Sequence, residues 1–305
     1  MSRRLALPII LMLVVAMLLA SCNTQTPTAA PAATPQAQAQ PTTAPAQPTA
    51  APTTADKVKA AFVYVAPAGD MGWTYEHDRG RKMLEAELGI ETAFIENVPE
   101  SADAERVIRD YAQKGYDIIF TTSFGYMDPT AAVAAEFPNT YFEHCSGYKV
   151  ADNLSTYFGR MYQPRFLSGL VAGKMTKSNK IGYVAAFPIP EVIRGINAFT
   201  RGVRTANPNA TVHVVWTSTW YDPALEREAA EGLLDTGCDI IAQHQDTTEP
   251  QKAAQERGAL SIGYDSNMGE FVGDTVLTSP MWNWGPYYIS RVKAIMDGTW
   301  KSEQY

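Results

Sequence analysis

Aromatic side chains gather in the short segments that follow predicted strands. They are Trp73, Phe124, Tyr126, Tyr148, Phe187, Trp220, Tyr221, Trp282 and Trp284. Core aromatic residues lie instead within the periodic strands and helices, as Phe62 and Phe199 do. Flat side chains at strand ends favour a cleft for a planar ligand, with a few polar groups to orient it.

Trp73 is the strongest of these candidates, because it follows a flexible turn at residues 69–72 that directs it to the mouth of the sheet. For three of the tryptophans a purely structural role is an alternative. Trp282 and Trp284 could pack a hinge, and Trp220 could close the edge of a core.

Three aspartates, Asp70, Asp246 and Asp265, also lie at predicted strand ends. An ionised carboxylate there accepts hydrogen bonds from ring N–H, amino or sugar hydroxyl groups. For Asp70 and Asp246 the alternative is a helix cap. Asp265 is followed by Ser266 and Asn267 rather than by a clear helix, which favours a ligand contact.

No set of residues with catalytic or metal-binding spacing is found. Residues 169–175 (Gly-Leu-Val-Ala-Gly-Lys-Met) are one residue too short for a phosphate-binding loop, and Met175 stands where Ser or Thr would coordinate magnesium. The adjacent His144 and Cys145 point to opposite faces of a strand, and no second ligand pair has matching spacing. We therefore predict no enzyme activity, no cofactor and no metal.

The elements that must position the candidate residues alternate between strand and helix. Strands are predicted at residues 58–66, 91–96, 117–122, 140–144, 154–158, 180–186, 211–218, 238–244 and 260–264. Helices are predicted at residues 73–88, 102–114, 129–136, 164–175, 192–206, 223–236, 249–257 and 286–296. This alternation indicates α/β lobes with parallel sheets covered by helices on both faces, and ligands bind such sheets outside the carboxyl ends of the strands.

The N-terminus predicts export. Arg3 and Arg4 precede an apolar run at residues 5–19, and the sequence Leu-Ala-Ser-Cys ends at Cys22. That sequence resembles the lipobox of bacterial lipoproteins, so residues 1–21 are predicted to be a signal peptide and Cys22 the site of lipid attachment. An uncleaved N-terminal anchor is the alternative.

Residues 22–56 are predicted to be a disordered tether, because residues 23–55 are rich in Pro, Thr and Ala and carry no charge. Proline-rich chain extends by about 3.1 Å per residue, which would hold a domain well away from the membrane. The remaining cysteines, Cys145 and Cys238, are predicted to be buried thiols. A net charge of −7 argues against a nucleic-acid surface.

From residue 57 to about residue 300 the chain resembles the basic membrane protein family of substrate-binding lipoproteins. The segments that carry the resemblance are residues 69–74, 142–148, 159–160, 169–173, 182–184, 190–199, 220–223 and 262–265. The resemblance implies a type I periplasmic-binding-protein fold, in which two Rossmann-like lobes joined by crossover strands close on a ligand. Lobe 1 would comprise residues 57–158 and 281–305, and lobe 2 residues 159–280.

Characterised members of that family include purine nucleoside receptors. The resemblance implies that Trp73 and either Trp220 or Tyr221 stack on the base, and that Asp265 holds the ribose. The chain departs from the family at Thr74, where the opening motif has asparagine, and at residues 281–284, where a lysine is often found. A pocket that gains tryptophans and lacks the lysine favours a free base such as adenine over a nucleoside.

The predicted ligand contacts are Asp70, Trp73, Phe124, Tyr126, Phe187, Trp220, Asp246, Asp265 and Trp284. The sequence thus predicts a monomeric, lipid-anchored extracytoplasmic protein that hands a purine to an ABC permease and its ATPase. Two alternatives from other classes are a nucleoside-cleaving hydrolase and a ligand-sensing module for a membrane receptor.

Overall fold

A computed structural model describes residues 58–305. The predicted signal peptide, the lipid-attachment residue Cys22 and the predicted tether lie outside the described residues.

The first half of the described chain builds one parallel sheet. Its strands are β1 (Lys59–Val63), β2 (Glu91–Ile95), β3 (Ile118–Thr121), β4 (Tyr141–Cys145) and β5 (Leu154–Tyr157). They lie in the order β2-β1-β3-β4-β5. The connecting helices are α1 (Trp73–Leu88), α2 (Ala102–Gln113) and α3 (Met127–Glu136), with a 3₁₀ turn at Phe124–Tyr126.

The second half builds another parallel sheet. Its strands are β6 (Lys180–Ala185), β7 (Thr211–Trp216), β8 (Ile240–His244) and β9 (Leu260–Ser261), in the order β7-β6-β8-β9. Its helices are α4 (Tyr162–Met175), α5 (Pro190–Ala206), α6 (Pro223–Asp235), α7 (Glu249–Glu256) and the short α8 (Gly269–Val272). The last helix, α9 (Gly285–Met296), returns to the first sheet.

Each sheet is buried on both faces. On the first sheet, Ala60 and Phe62 of β1 pack with residues of α1 and α9, whereas Ala61 and Val63 pack with residues of α2 and α3. The second sheet likewise has one apolar cluster on each face. Strands enclosed in this way read as nearly continuous apolar runs, which is why they were predictable from the sequence.

A buried ion pair holds α9 against the first sheet. The fully buried Glu143 of β4 accepts a hydrogen bond from Nε of Arg291 at 2.5 Å, and Tyr287 and Trp300 also donate to it. The return of the chain is also marked by Asp265, which pairs with Met281 in a parallel bridge.

The predicted elements are confirmed, and helix ends differ by at most two residues from the observed ones. The largest strand errors are at β1, which ends at Val63, and β9, which ends at Ser261, each three residues before its predicted end. The backbone of β9 bonds to the returning segment, with Ser261 N–H donating to the carbonyl of Thr275 and Gly263 N–H to that of Thr278. Cys145 and Cys238 are buried and free, as predicted.

Candidate functional site

A cavity lies between the ends of the two sheets. Its lining residues all occur at or beyond the carboxyl ends of strands, where ligands bind in parallel sheets. They are Val65, Trp73, Ser123, Phe124 and Ser146 from the first sheet's side, and Glu191, Trp220, His244, Asp246 and Tyr264 from the second sheet's side.

Trp73 forms one rigid wall of this cavity. Its indole N–H donates to the carbonyl of Thr122 at 2.7 Å, and its ring meets His77, Trp284 and Trp282 edge to face. The ring is 8% exposed and has a hydrogen-bonded, packed position before any ligand arrives. Such pre-organisation lowers the entropy that binding must overcome.

Asp70 positions Trp73 instead of lining the cavity. Its carboxylate accepts hydrogen bonds from the backbone N–H groups of Gly72, Thr74 and Tyr75 at 2.8 to 2.9 Å. The sequence left two roles open for Asp70, a ligand contact and a helix cap. These hydrogen bonds place Asp70 at the start of α1 as a helix cap.

Trp220 supplies the opposite wall from the loop after β7. Its indole N–H donates to Oε2 of Glu100 at 3.0 Å, and Phe187 packs edge to face against its ring at 5.1 Å between centroids. Phe187 therefore supports Trp220 from outside and does not line the cavity. Trp73 and Trp220 present one indole from each sheet's side to the same space.

Phe124 and Tyr126 have different positions although they share a 3₁₀ turn. Phe124 lines the cavity. Tyr126 is fully buried in the core between the first sheet and its helices, and its hydroxyl donates to the carbonyl of Val98 at 2.5 Å. Because successive side chains of a tight turn point in different directions, only one of the two reaches the cavity.

Of the three predicted aspartates, Asp246 is the one that lines the cavity. It follows β8 and is buried, and within residues 58–305 its Oδ2 atom has no hydrogen-bond partner. Burial raises the pKa of Asp246 well above its usual value, and the nearby Asp70 and Asp265 carboxyl groups raise it further. A buried polar atom without a partner is costly, so a polar ligand group that forms a hydrogen bond at this point would be favoured.

Asp265 and Trp284 lie behind the cavity, not in its lining. The indole N–H of Trp282 donates to Oδ1 of Asp265 at 3.0 Å, and Asp265 has a left-handed φ of 66°. Trp284 stacks on His77 at 4.7 Å and on Trp282 at 4.4 Å between centroids. Both residues thus sit in the packing that supports Trp73, and in this structure neither contacts the cavity.

Several lining residues were not among the predicted contacts. Ser146 donates to Glu191 across the two sides, and His244 Nε2 lies 3.4 Å from the hydroxyl of Tyr264. Position was the sequence feature that could have identified Ser146, His244 and Tyr264 as lining residues, because all three lie at predicted strand ends. Glu191 instead begins α5, where an acidic residue is explained by the helix dipole.

The cavity has a polar lining with acidic side chains. It contains Asp246 and Glu191 and, among the described residues, no lysine or arginine. Burial raises the pKa of Glu191 to about 7 and lowers the pKa of His244 well below its usual value, so the imidazole is neutral. The raised pKa values of the two carboxyl groups favour their protonated forms, which can both donate and accept hydrogen bonds. This lining suits an uncharged ligand with hydrogen-bond donors and acceptors, and it offers no cation to an anion.

The two sides touch around the cavity. The hydroxyl of Ser266 donates to the backbone carbonyl of Met71, and Trp220 reaches Glu100. The backbone of Gly72 lies so close to Asp246 that a methyl group at Gly72 would be 2.2 Å from the Asp246 carbonyl oxygen. These contacts describe a closed arrangement of the two sides.

No helix within residues 58–305 is both long and apolar enough to span a bilayer. Residues 57–305 match the family model described as ABC transporter substrate-binding protein PnrA-like. A purine-binding protein of Brucella abortus (strain 2308) is 50% identical over 250 residues, which are 81% of this chain and 71% of that protein.

A protein of Haloferax volcanii, provisionally named an ABC transporter glucose-binding protein, is 45% identical and covers 82% of this chain, but only 64% of its own length is matched. Among solved structures, an ABC transporter solute-binding protein from Aeropyrum pernix K1 has a TM-score of 0.74 at 23% identity, covering 81% of this chain and 73% of that one. At that identity the likeness shows the fold, which is that of periplasmic binding proteins.

The family consists of binding proteins, not enzymes, and membership implies a small-molecule ligand and an ABC permease as partner. By its match over the whole described region, the chain belongs to the PnrA-like family of ABC transporter substrate-binding proteins.

Proposed function

We propose that the chain is a lipid-anchored, extracytoplasmic binding protein that captures a purine, with an adenine-like base favoured, for an ABC importer. The observation that carries the proposal is the pair of indoles, Trp73 and Trp220, that face one cavity from opposite sides. A planar ring between two aromatic walls gains apolar burial and stacking from both faces.

The polar groups of the cavity support a base with exposed N–H groups. The unpartnered Oδ2 of Asp246 can bind an amino or ring N–H group when ionised, or a ring nitrogen when protonated, and the neutral His244 adds a further polar contact. Without lysine or arginine among the described lining residues, a phosphate group would have no counter-charge there. A free base or an uncharged nucleoside is therefore preferred to a nucleotide.

The two relatives named for their ligands point to different classes, a purine and glucose. Three aromatic side chains, Trp73, Phe124 and Trp220, line the cavity, and flat apolar side chains of this kind favour the planar purine ring.

The decisive experiment is a thermal and calorimetric titration of the purified chain with adenine, hypoxanthine, adenosine, AMP and glucose. Adenine at about 100 times its Kd is expected to raise the free energy of unfolding by about 2.7 kcal/mol. Adenosine should remain intact when recovered from the protein, whereas released base would support the hydrolase alternative. Stabilisation by glucose but by none of the purines would overturn the proposal.

Capture would occur by closure of two lobes, residues 57–158 with 281–305 and residues 159–280. The connections between them are the segment after β5 and the segment that contains Met281 and Trp282. Hinge closure around a ligand is a common transition in periplasmic binding proteins. The closed form would be the one that the permease recognises.

Anchoring is proposed for Cys22, from the sequence Leu-Ala-Ser-Cys after the apolar run. The substitution Cys22→Ala should move the exported protein from the membrane fraction to the soluble extracytoplasmic fraction without changing adenine binding. A variant that stays in the membrane fraction would show that the N-terminal run itself is the anchor.

A further inference from the structure

Glu100 is an exposed carboxylate in the loop between β2 and α2 that contacts both sides of the cleft. Its Oε1 atom accepts from the hydroxyl of Ser123 at 2.5 Å and from the backbone N–H of Gly125 at 2.7 Å, both on its own side. Its Oε2 atom accepts from the indole N–H of Trp220, on the opposite side, at 3.0 Å. One carboxylate therefore divides its two oxygens between the two sides.

The position of Glu100 on its own side is closely fitted. A methyl group at Gly125 would lie 2.4 Å from the carboxyl carbon of Glu100, so the bare glycine backbone provides the space for the carboxylate. With Oε1 fixed by two donors, Oε2 is held in one direction. That direction is toward Trp220.

Trp220 stands between the cavity and the outside of the cleft. It lines the cavity, and it also lines an outer recess together with Asn97, Glu100, Phe187 and Tyr221. A ligand leaving the cavity by this recess would have to pass the indole ring. Within the described chain, the indole N–H has one hydrogen-bond acceptor, Glu100, and that acceptor belongs to the other side.

We propose that Glu100 and Trp220 form the latch of the binding cleft, in which Glu100 holds the Trp220 ring across the outer opening only when the two sides are closed. This proposal rests on the proposed binding function and adds to it a positioning residue that does not line the cavity. The latch slows ligand release, while the encounter of ligand with the open form does not depend on it.

The chain allows a matched test of the latch. Glu100→Gln keeps the side-chain volume and the oxygen that Ser123 and Gly125 bind, but it turns an amide NH₂ toward the indole N–H. Trp220→Phe keeps an aromatic ring and removes the donor. The control is Glu96→Gln, because Glu96 accepts from the backbone N–H of Ala68 at 2.7 Å on its own side and, within residues 58–305, has no hydrogen-bond partner on the other side.

The measurement is the dissociation rate of adenine by stopped-flow fluorescence on the full exported chain. A hydrogen bond to a charged group is worth about one factor of ten in affinity, and differences of this kind appear mainly in the dissociation rate. We expect about tenfold faster release from Glu100→Gln and at least as large an effect from Trp220→Phe, which also makes the wall smaller. The double variant should release adenine no faster than Trp220→Phe does, and Glu96→Gln should release it as wild type does.

Additive effects of the two substitutions, or unchanged release from Glu100→Gln, would overturn the latch. If adenine does not bind the wild-type chain, the proposed ligand fails, and the latch is tested instead by the dissociation rate of hypoxanthine, adenosine or glucose, whichever of them stabilises the chain. Release of that ligand must be faster from Glu100→Gln and unchanged in Glu96→Gln. Equal release from both variants and the wild-type chain would show that the latch is wrong irrespective of the ligand.

Discussion

The close approach of Gly72 to Asp246 across the cleft gives a direct test of closure. Gly72, which precedes α1, faces the backbone of Asp246, and a methyl group there would lie 2.2 Å from its carbonyl oxygen and 2.8 Å from its carbonyl carbon. Separations under 3.0 Å are essentially never found for a real Cβ, so the two backbones must part by about 0.8 Å or more. Neither atom is at the end of a flexible side chain.

The expected result for Gly72→Ala is weaker ligand binding with little loss of stability. Overpacking of this kind costs about 1–3 kcal/mol, and the cost falls on the closed form alone because the open form separates the two backbones. That range corresponds to a 5- to 150-fold increase in the Kd for adenine. The ligand-free protein should unfold within about 0.5 kcal/mol of wild type.

Isothermal titration calorimetry of adenine binding, with urea unfolding of the ligand-free protein, separates the two effects. Gly69→Ala is the matched control, because it lies three residues earlier in the same turn and a methyl group there has no atom within 4 Å. It should bind as wild type does. Equal affinity of Gly72→Ala and Gly69→Ala would show that the closed arrangement is not the ligand-binding one.

Two further predictions concern buried charges. Arg291→Met leaves the buried carboxylate of Glu143 without its cation, so the free energy of unfolding in urea should fall by about 3–5 kcal/mol, and a loss below 1 kcal/mol would contradict the buried pair. Burial raises the pKa of Glu226 to about 7 despite hydrogen bonds from Thr247, so the folded state retains a proton that the unfolded chain releases. Stability from this group is therefore present at low pH and lost as pH rises from about 4.5 to 7, and Glu226→Gln should make the pH profile of urea unfolding flatter by at most about 1.4 kcal/mol per pH unit. An unchanged profile would mean that Glu226 is ionised across this range.

The fold was predictable because its signals are local and agree with one another. Helix α1 has its predicted ends, Trp73 and Leu88, since Asp70 caps the first turn and Gly89 ends the helix with a left-handed φ of 59°. The central strands β1 and β3 are short and apolar on both faces, and few elements other than strands buried in a parallel sheet show this pattern. Where pairing is not local, as at β9, the predicted end was wrong.

The site was only partly predictable, since the position of a residue after a strand does not determine which way its side chain points. Trp73, Phe124, Trp220 and Asp246 reach the cavity. Tyr126 turns into the core because its hydroxyl finds the carbonyl of Val98, a contact 28 residues away in sequence. No one-dimensional pattern contains that contact.

The same limit applies to residues whose partners lie across the cleft or behind its wall. Trp284 stacks on His77, and Asp265 accepts from Trp282, so both serve packing that depends on the return of α9. Glu100 follows a proline in a polar loop and has no sequence signature of a functional carboxylate. Its role becomes visible only when Trp220 is placed opposite it.

The two aromatic walls differ in how they are held, and this asymmetry gives the site a direction of motion. Trp73 is 8% exposed and is fixed by a hydrogen bond to Thr122 and by the ring of His77, all within its own side of the molecule. Trp220 is half-buried, and its hydrogen bond runs to Glu100 on the opposite side. Opening the cleft therefore leaves the Trp73 wall intact and releases the Trp220 wall. A ligand would first meet a formed surface at Trp73 and would then be covered by Trp220, so closure completes the site at the second wall.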